Sequence, residues 1–193
     1  VQGDVGSGKT IVSLLAIANI IESGYQCALM APTEILANQH YALAKKIFET
    51  ANFKIDFLTG KTENRYRKEI LKNLENGKIN LLIGTHALFQ KKIIFKKLGL
   101  VIIDEQHKFG VKQISELAKK GGDRCDVLLM SATPIPRTMM MSLYGDMDIS
   151  KLTEKPSKRK KIVTLSKPEN KIKELWPFIK KQISKDNQIF WVC

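Results

Sequence analysis

Gly3-Asp-Val-Gly-Ser-Gly-Lys-Thr10 is the stretch that decides how the rest of the chain is read. It has the spacing GxxxxGK[ST], and an apolar segment of helical period, Thr10 to Ile21, follows directly. Glycines at 3, 6 and 8 let backbone amides approach the β- and γ-phosphates of a nucleotide with no Cβ in the way, and Asp4, Val5 and Ser7 complete the cradle. Lys9 supplies a mobile positive charge to those phosphates, and the Thr10 hydroxyl is a hard oxygen ligand for an octahedral Mg²⁺. A glycine-rich turn that only caps a helix is the plainer reading of the same residues.

Working outward, short apolar runs alternate with longer segments of helical period. The runs are Cys27 to Ala31, Ile79 to Ile83, Leu100 to Ile103 and Val127 to Met130. Helical spacing is found at Thr10 to Ile21, Glu34 to Phe48, Asn64 to Leu74 and Val111 to Lys119. Strands that are apolar on both faces predict a mostly parallel sheet flanked by helices, an α/β fold. Near Ile149 the pattern turns polar, basic and proline-containing, and a strand, a helix and a strand are expected at Ile162–Leu165, Glu169–Ser184 and Gln188–Cys193. This places a first lobe over 1–152, a linker over 153–161 and the opening of a second lobe over 162–193. The phosphate loop begins at Gly3 and the chain stops inside an expected strand, so both ends are expected to be cuts.

Leu100-Val-Ile-Ile-Asp104-Glu105-Gln-His107 is an apolar strand ending in adjacent carboxylates. At the carboxyl edge of a sheet, Asp104 can hold Mg²⁺ through its water, and Glu105 can orient and deprotonate an attacking water. Alone, such an ending is more often a solvated turn. A phosphate loop upstream needs an acidic strand end, and this is the good candidate.

Further segments carry a resemblance. Asp-Glu-Gln-His at 104–107 is similar to the DExH form of the second helicase motif, Ser131-Ala-Thr133 to the third, Ala31-Pro-Thr33 to motif Ia, Thr59-Gly60 to motif Ib, and Gly84-Thr85-His86 to the motif after it. Together they resemble a superfamily 2 helicase lobe. The longer strings at 3–10, 31–37 with Gln39-His40, 84–88, 104–111 and 132–138, continued by Tyr144-Gly-Asp-Met-Asp148, resemble the RecG family of branched-DNA helicases. The match is dense to about Ser150, thins, and recovers at Phe190-Trp-Val-Cys193. The transcription-repair coupling translocase shares Pro-Ile-Pro-Arg-Thr but usually has a glutamate at the position of Gln106. Lys108 and Ile114 depart from the RecG pattern, where arginines are common.

The resemblance implies a RecA-like phosphate-loop lobe followed by the start of a second one. It also implies ATP with Mg²⁺ as cofactors, branched double-stranded DNA (stalled forks and Holliday junctions) as substrate, and a bacterial cytoplasmic setting. A wedge domain and the rest of the second lobe, with its arginine fingers, would belong to the remainder of the polypeptide. Thr33, Thr59, Gly60, Thr85 and Arg137 would contact DNA, while His107, Ser131 and Thr133 would link nucleotide state to the DNA-facing surface. For Thr33 and Thr85 a helix N-cap is the alternative, and for Arg137 a plain surface arginine. A nucleotide-gated clamp without sustained turnover is the reading from another class, and an intact Glu105 argues against it.

Composition is compatible with this and narrows the classes. Lys plus Arg number 32 against 19 Asp plus Glu, a formal charge of +13, as suits a partner with a polyphosphate backbone. The dense run Lys158-Arg-Lys-Lys161 is either a phosphate contact or a solvated linker. No apolar run approaches the roughly 18 residues of a membrane span. Cys27, Cys125 and Cys193 have neither disulfide-framework nor zinc spacing, so no structural metal is expected. Met139 to Met141 read as packing, and Trp176 and Trp191 as core or lobe-interface aromatics.

Overall fold

In the chain's computed structural model, described over residues 1–133, 147–154 and 162–192 with backbone only at 123 and 124, parallel strand pairing dominates the first unit. The chain divides into Val1–Pro156 and Ser157–Cys193, and the expected linker 153–161 straddles that division. The first unit runs β1 (Gln2–Gly3), α1 (Lys9–Glu22), β2 (Gln26–Met30), α2 (Glu34–Ile47), β3 (Ile55–Leu58), α3 (Asn64–Glu75), β4 (Leu81–Gly84), β5 (Leu98–Ile103), α4 (Val111–Ala118), β6 (Asp126–Leu129) and β7 (Lys151–Leu152). Short 3-10 turns at His86–Phe89, Gln106–Lys108 and Lys119–Arg124 join some of them. The main sheet has the order β3-β4-β2-β5-β6, with every pairing parallel. The expected α/β fold with a helix-flanked parallel sheet is what forms.

Period-two alternation with both faces covered explains why the central strands β2, β4 and β5 are mostly apolar. Ala28 and Met30, Leu82, and Val101 and Ile103 face one side, packed on Ile70 and Leu74 of α3 and Ile114 and Leu117 of α4. Cys27 and Leu29, Leu81 and Ile83, and Leu100 and Ile102 face the other, against Leu14, Ile17 and Ile21 of α1 and Ala37 and Ala44 of α2. Each fully buried Leu or Ile contributes roughly 1.5–3 kcal/mol, so losing either helix layer would unmake the sheet. Ile114, where the resembling family often has arginine, is a core residue here.

Two elements escaped the sequence reading. In β3, Asp56 interrupts the apolar pattern, because this edge strand is only half-buried over Ile55–Phe57. β7 pairs with β1, in register Gln2 with Lys151 and Gly3 with Leu152, so a stretch that reads as polar boundary is partly ladder. In the second unit a 3-10 turn at Glu169–Glu174 leads into α5 (Leu175–Ile183). The strands expected at Ile162–Leu165 and Gln188–Cys193 do not form among the described residues there. A strand needs a neighbouring edge to satisfy its N–H and C=O groups, and one helix supplies none. Ile162, Val163, Leu165 and Phe190 are accordingly exposed. Trp176 and Trp191 stack with ring centroids 5.7 Å apart while both remain about half exposed, so neither is core within this unit.

Gln26, buried at the start of β2, ties three segments together. Its Nε2 donates to the carbonyls of Leu74 at 2.9 Å and Ile79 at 2.7 Å, and its Oε1 accepts from the Lys97 amide at 3.0 Å. A Gln26→Leu substitution removes this partner from Ile79 O and the Lys97 amide, at a cost of about 1–3 kcal/mol for each that stays buried, while Leu74 O keeps the Gly77 amide at 3.0 Å. Urea unfolding should show a lower midpoint at unchanged slope. Burial pushes the thiol of Cys27 up to about 12 and that of Cys125 up to about 11. Because the thiolate is the reactive form, both should react with a thiol reagent at pH 8 far more slowly in the folded chain than in the unfolded one, a test best made with Cys193→Ser.

Candidate functional site

β1 is laced in by main-chain bonds on both sides. The Gly3 amide donates to Ser131 O at 3.2 Å, Ser131 N to Val1 O at 3.2 Å, and Gln2 N to Ser150 O at 2.8 Å. The loop that leaves β1 turns through Gly6 at φ 80° and Gly8 at φ 95°, and Gly8 opens α1 in the left-handed region that favours glycine. Open space surrounds a Cβ placed on Gly8, whereas one on Gly3 would strike Ser7 Oγ. Lys9 folds its ammonium back across the loop, donating to Gly3 O at 2.7 Å and Asp4 O at 3.0 Å. Asp4 also accepts from within the loop: its carbonyl takes Ser7 N at 3.1 Å and its Oδ1 takes Val5 N at 2.8 Å. Ser7 Oγ is buried without a protein partner. No side chain caps α1, and no acidic residue sits in its first turn, so the positive end of the helix is left to an anion. Thr10 lies in that first turn.

Across the same edge, Asp104 follows β5 and its amide donates to Met30 O at 2.9 Å. One carboxylate oxygen accepts the Glu105 amide at 3.0 Å, and the other meets His40 Nε2 at 2.8 Å. The side chains of His40 and Asp104 are 8% and 13% exposed. Glu105 adopts φ 49° and ψ 55°, a left-handed conformation that is rare for a residue with a Cβ. Its carboxylate lies 3.4 Å from His107 Nδ1, both groups partly exposed. The Gln106 amide then reaches Met130 O at 3.3 Å, fixing this turn to the end of β6. Beside it, Ser131 Oγ and Thr133 Oγ1 are 3.0 Å apart.

The strand order divides the carboxyl edge in two. On the side of β5, β6 and β1 stand Gly3 to Thr10, Asp104, Glu105, His107, Ser131 and Thr133. On the side of β2, β4 and β3 stand Thr33, Thr85, and Thr59 with Gly60. Thr33 is the N-cap of α2, its hydroxyl accepting from Leu36 N at 3.3 Å, and it remains exposed. Thr85 is buried and caps its 3-10 turn without a side-chain bond. Thr59 Oγ1 accepts from Lys61 N at 3.3 Å, and Arg67 donates to Thr59 O at 2.6 Å. Lys61 also donates to Glu34 at 2.8 Å, holding that carboxyl below its ordinary range. Arg137 lies outside the described residues.

One participant was missed by the sequence reading. His40 stands in the buried Ala37, His40, Ala44 stripe of α2, and a polar residue inside an apolar stripe is the one signal that marks it.

The family model described as DEAD/DEAH box helicase matches residues 1–142. This chain belongs to the DEAD/DEAH box helicase family. The resemblance to RecG also holds over nearly the whole chain. It is 47% identical to the ATP-dependent DNA helicase RecG of Thermotoga maritima over 99% of this chain and 24% of that protein. With the RecG of Bacillus subtilis identity is 46%, over 100% of this chain and 28% of that protein. A solved structure of RecG bound to a three-way DNA junction superposes with TM-score 0.76 at 43% identity, covering 96% of this chain and 25% of that one. The helicase MrfA, 16% identical with TM-score 0.54, shares the fold. The chain spans about a quarter of the length of the RecG proteins it matches.

Within this helicase lobe the donor set can be tested against ATP and Mg²⁺. Among the described residues no cluster of three or more His, Cys, Asp or Glu could hold a metal. Mg²⁺ in phosphate sites usually keeps several waters and takes one or two protein oxygens, which Thr10 and Asp104 offer in kind. The glycine cradle and the orphaned Ser7 Oγ fit a polar ligand in the loop. No helix among the described residues is long and apolar enough to cross a membrane.

The left-handed turn at Glu105 generates a stability test. Glu105→Gly should be more stable than Glu105→Ala by about 1 kcal/mol, since only glycine takes that conformation without strain. Thermal denaturation of the two variants measures the difference, and equal midpoints would show that the backbone there is not held left-handed.

Proposed function

We propose that this chain is the ATP-binding lobe of an ATP-dependent DNA helicase that remodels branched DNA, such as stalled forks and Holliday junctions, in recombination and repair. The observation that carries the reading is the convergence on one sheet edge of the Gly3–Thr10 loop and the Asp104–Glu105 turn. Support for the substrate comes from the RecG proteins it resembles and from the RecG structure bound to a three-way DNA junction.

In this mechanism Lys9 leaves the carbonyls of Gly3 and Asp4 for the triphosphate, a short swing for a flexible ammonium. The amides from Gly3 to Thr10 wrap the phosphates, and the glycines keep that approach open. Thr10 and Asp104 would hold Mg²⁺, which when bound neutralises charge on the β- and γ-phosphate oxygens. Glu105, in its left-handed backbone conformation, orients the attacking water and accepts its proton. His107, Ser131 and Thr133 relay the nucleotide state toward Thr33, Thr59, Gly60, Thr85 and Arg137. These would touch DNA phosphates and so position the duplex without reading its sequence. The boundaries proposed are a lobe at 1–152, a linker at 153–161 and the start of a second lobe at 162–193. A wedge domain and the rest of the second lobe complete the machine in a bacterial cytoplasm.

Glu105→Gln in the full-length protein tests the reading. Hydrolysis should fall by about 10²–10⁴, the usual worth of a positioned general base, while nucleotide affinity is retained. A clamp that only gates DNA binding would show no such loss of turnover, and that outcome would replace the motor with the clamp.

A further inference from the structure

Of the chain's three histidines, His40 is the buried one, while His86 and His107 are exposed. It comes from α2, the helix that follows β2, and reaches the end of β5 to bond Asp104 at 2.8 Å. Above the sheet the same helix face is lined by Ala37 and Ala44, which an apolar residue at position 40 would continue. A buried imidazole costs free energy unless it is hydrogen-bonded, and here its bond is to the carboxylate at the centre of the site.

The geometry of Asp104 indicates what the bond does. Left alone, a carboxylate at a strand end rotates about χ2 through a broad range. Here the Glu105 amide holds Oδ1 at 3.0 Å and His40 Nε2 holds Oδ2 at 2.8 Å, from opposite sequence neighbourhoods. Two anchors fix the plane of the carboxylate, and each oxygen keeps a lone pair for a further donor. A group that orients a metal-holding carboxylate from behind tunes the metal without touching it.

We propose that His40 is a positioning residue for nucleotide-bound Mg²⁺, holding the Asp104 carboxylate in the one orientation from which it can take a metal-bound water. This rests on the ATP–Mg²⁺ reading of the site. Removing the bond leaves the phosphate loop intact, so nucleotide binding without metal is unaffected while the metal-dependent part weakens.

The experiment titrates Mg²⁺ against the affinity of the full-length protein for a fluorescent ATP analogue, with a parallel measurement in EDTA. His40→Leu keeps the volume and removes the donor, His40→Gln places an amide N–H near the former Nε2, and His40→Asn is too short to reach. His40→Leu and His40→Asn should need about 10–100-fold more Mg²⁺ for half-saturation, with EDTA affinity unchanged and His40→Gln close to wild type. Wild-type Mg²⁺ dependence in His40→Leu, or an equal loss in Mg²⁺ and EDTA, would overturn the assignment. If His40→Leu does not fold, the Gln and Asn variants decide, and identical titrations for those two overturn it as well. A wild-type protein whose affinity ignores Mg²⁺ removes instead the nucleotide reading beneath it.

Discussion

Parallel alignment of the strands is the constraint on which the rest depends. Because β2 to β6 all run the same way, every one of their carboxyl ends opens at one edge, and the returns run through α2, α3 and α4 or, from β4 to β5, through the 3-10 turn at His86–Phe89. The helices bury both faces, so polar chemistry is confined to the edge. Strand order then sorts that edge: the ends of β5, β6 and β1 gather the phosphate loop and the carboxylates, and those of β2, β4 and β3 gather the threonines.

The site departs from ordinary backbone and burial rules in a few places, and these fall together. Glu105 carries a Cβ in left-handed space, Asp104 and His40 bury polar groups beside an alanine-lined helix face, and Ser7 keeps a hydroxyl unpartnered. Strain and buried polarity persist only where surrounding structure over-determines them. Here the Gln106 amide bond to Met130 O and the Asp104 amide bond to Met30 O hold the turn from both neighbouring strands.

Much of this was legible in the residues. Apolar runs located β2, β4 and β5 because central strands are buried on both faces, the run Val127 to Met130 located the half-buried edge strand β6, and helical spacing located α1 to α4. The Gly3–Thr10 loop and Asp104 stand out in the residues because the chemistry proposed for them admits few residue types. What stayed hidden depends on neighbours. The edge strand at Ile55–Leu58 is masked by Asp56, and β7 exists only because β1 lies alongside it. The strands expected in the second unit had the right composition but no edge to join. Nothing local in the sequence gives His40 its role, since its partner lies 64 residues away. Thr33 shows how one residue satisfies two readings, because a hydroxyl that caps a helix still lies at the surface.

The lacing of Gln2 and Gly3 has a mechanical corollary. Those bonds, with the ones Val1 makes to residues 129 and 131, are made by backbone atoms, so replacements other than proline or a Cβ at Gly3 leave them in place. The residues that leave this unit toward Pro156 are therefore zipped to the root of the phosphate loop through peptide groups alone. A pull on the departing chain is delivered to Gly3 as a shear along that zipper.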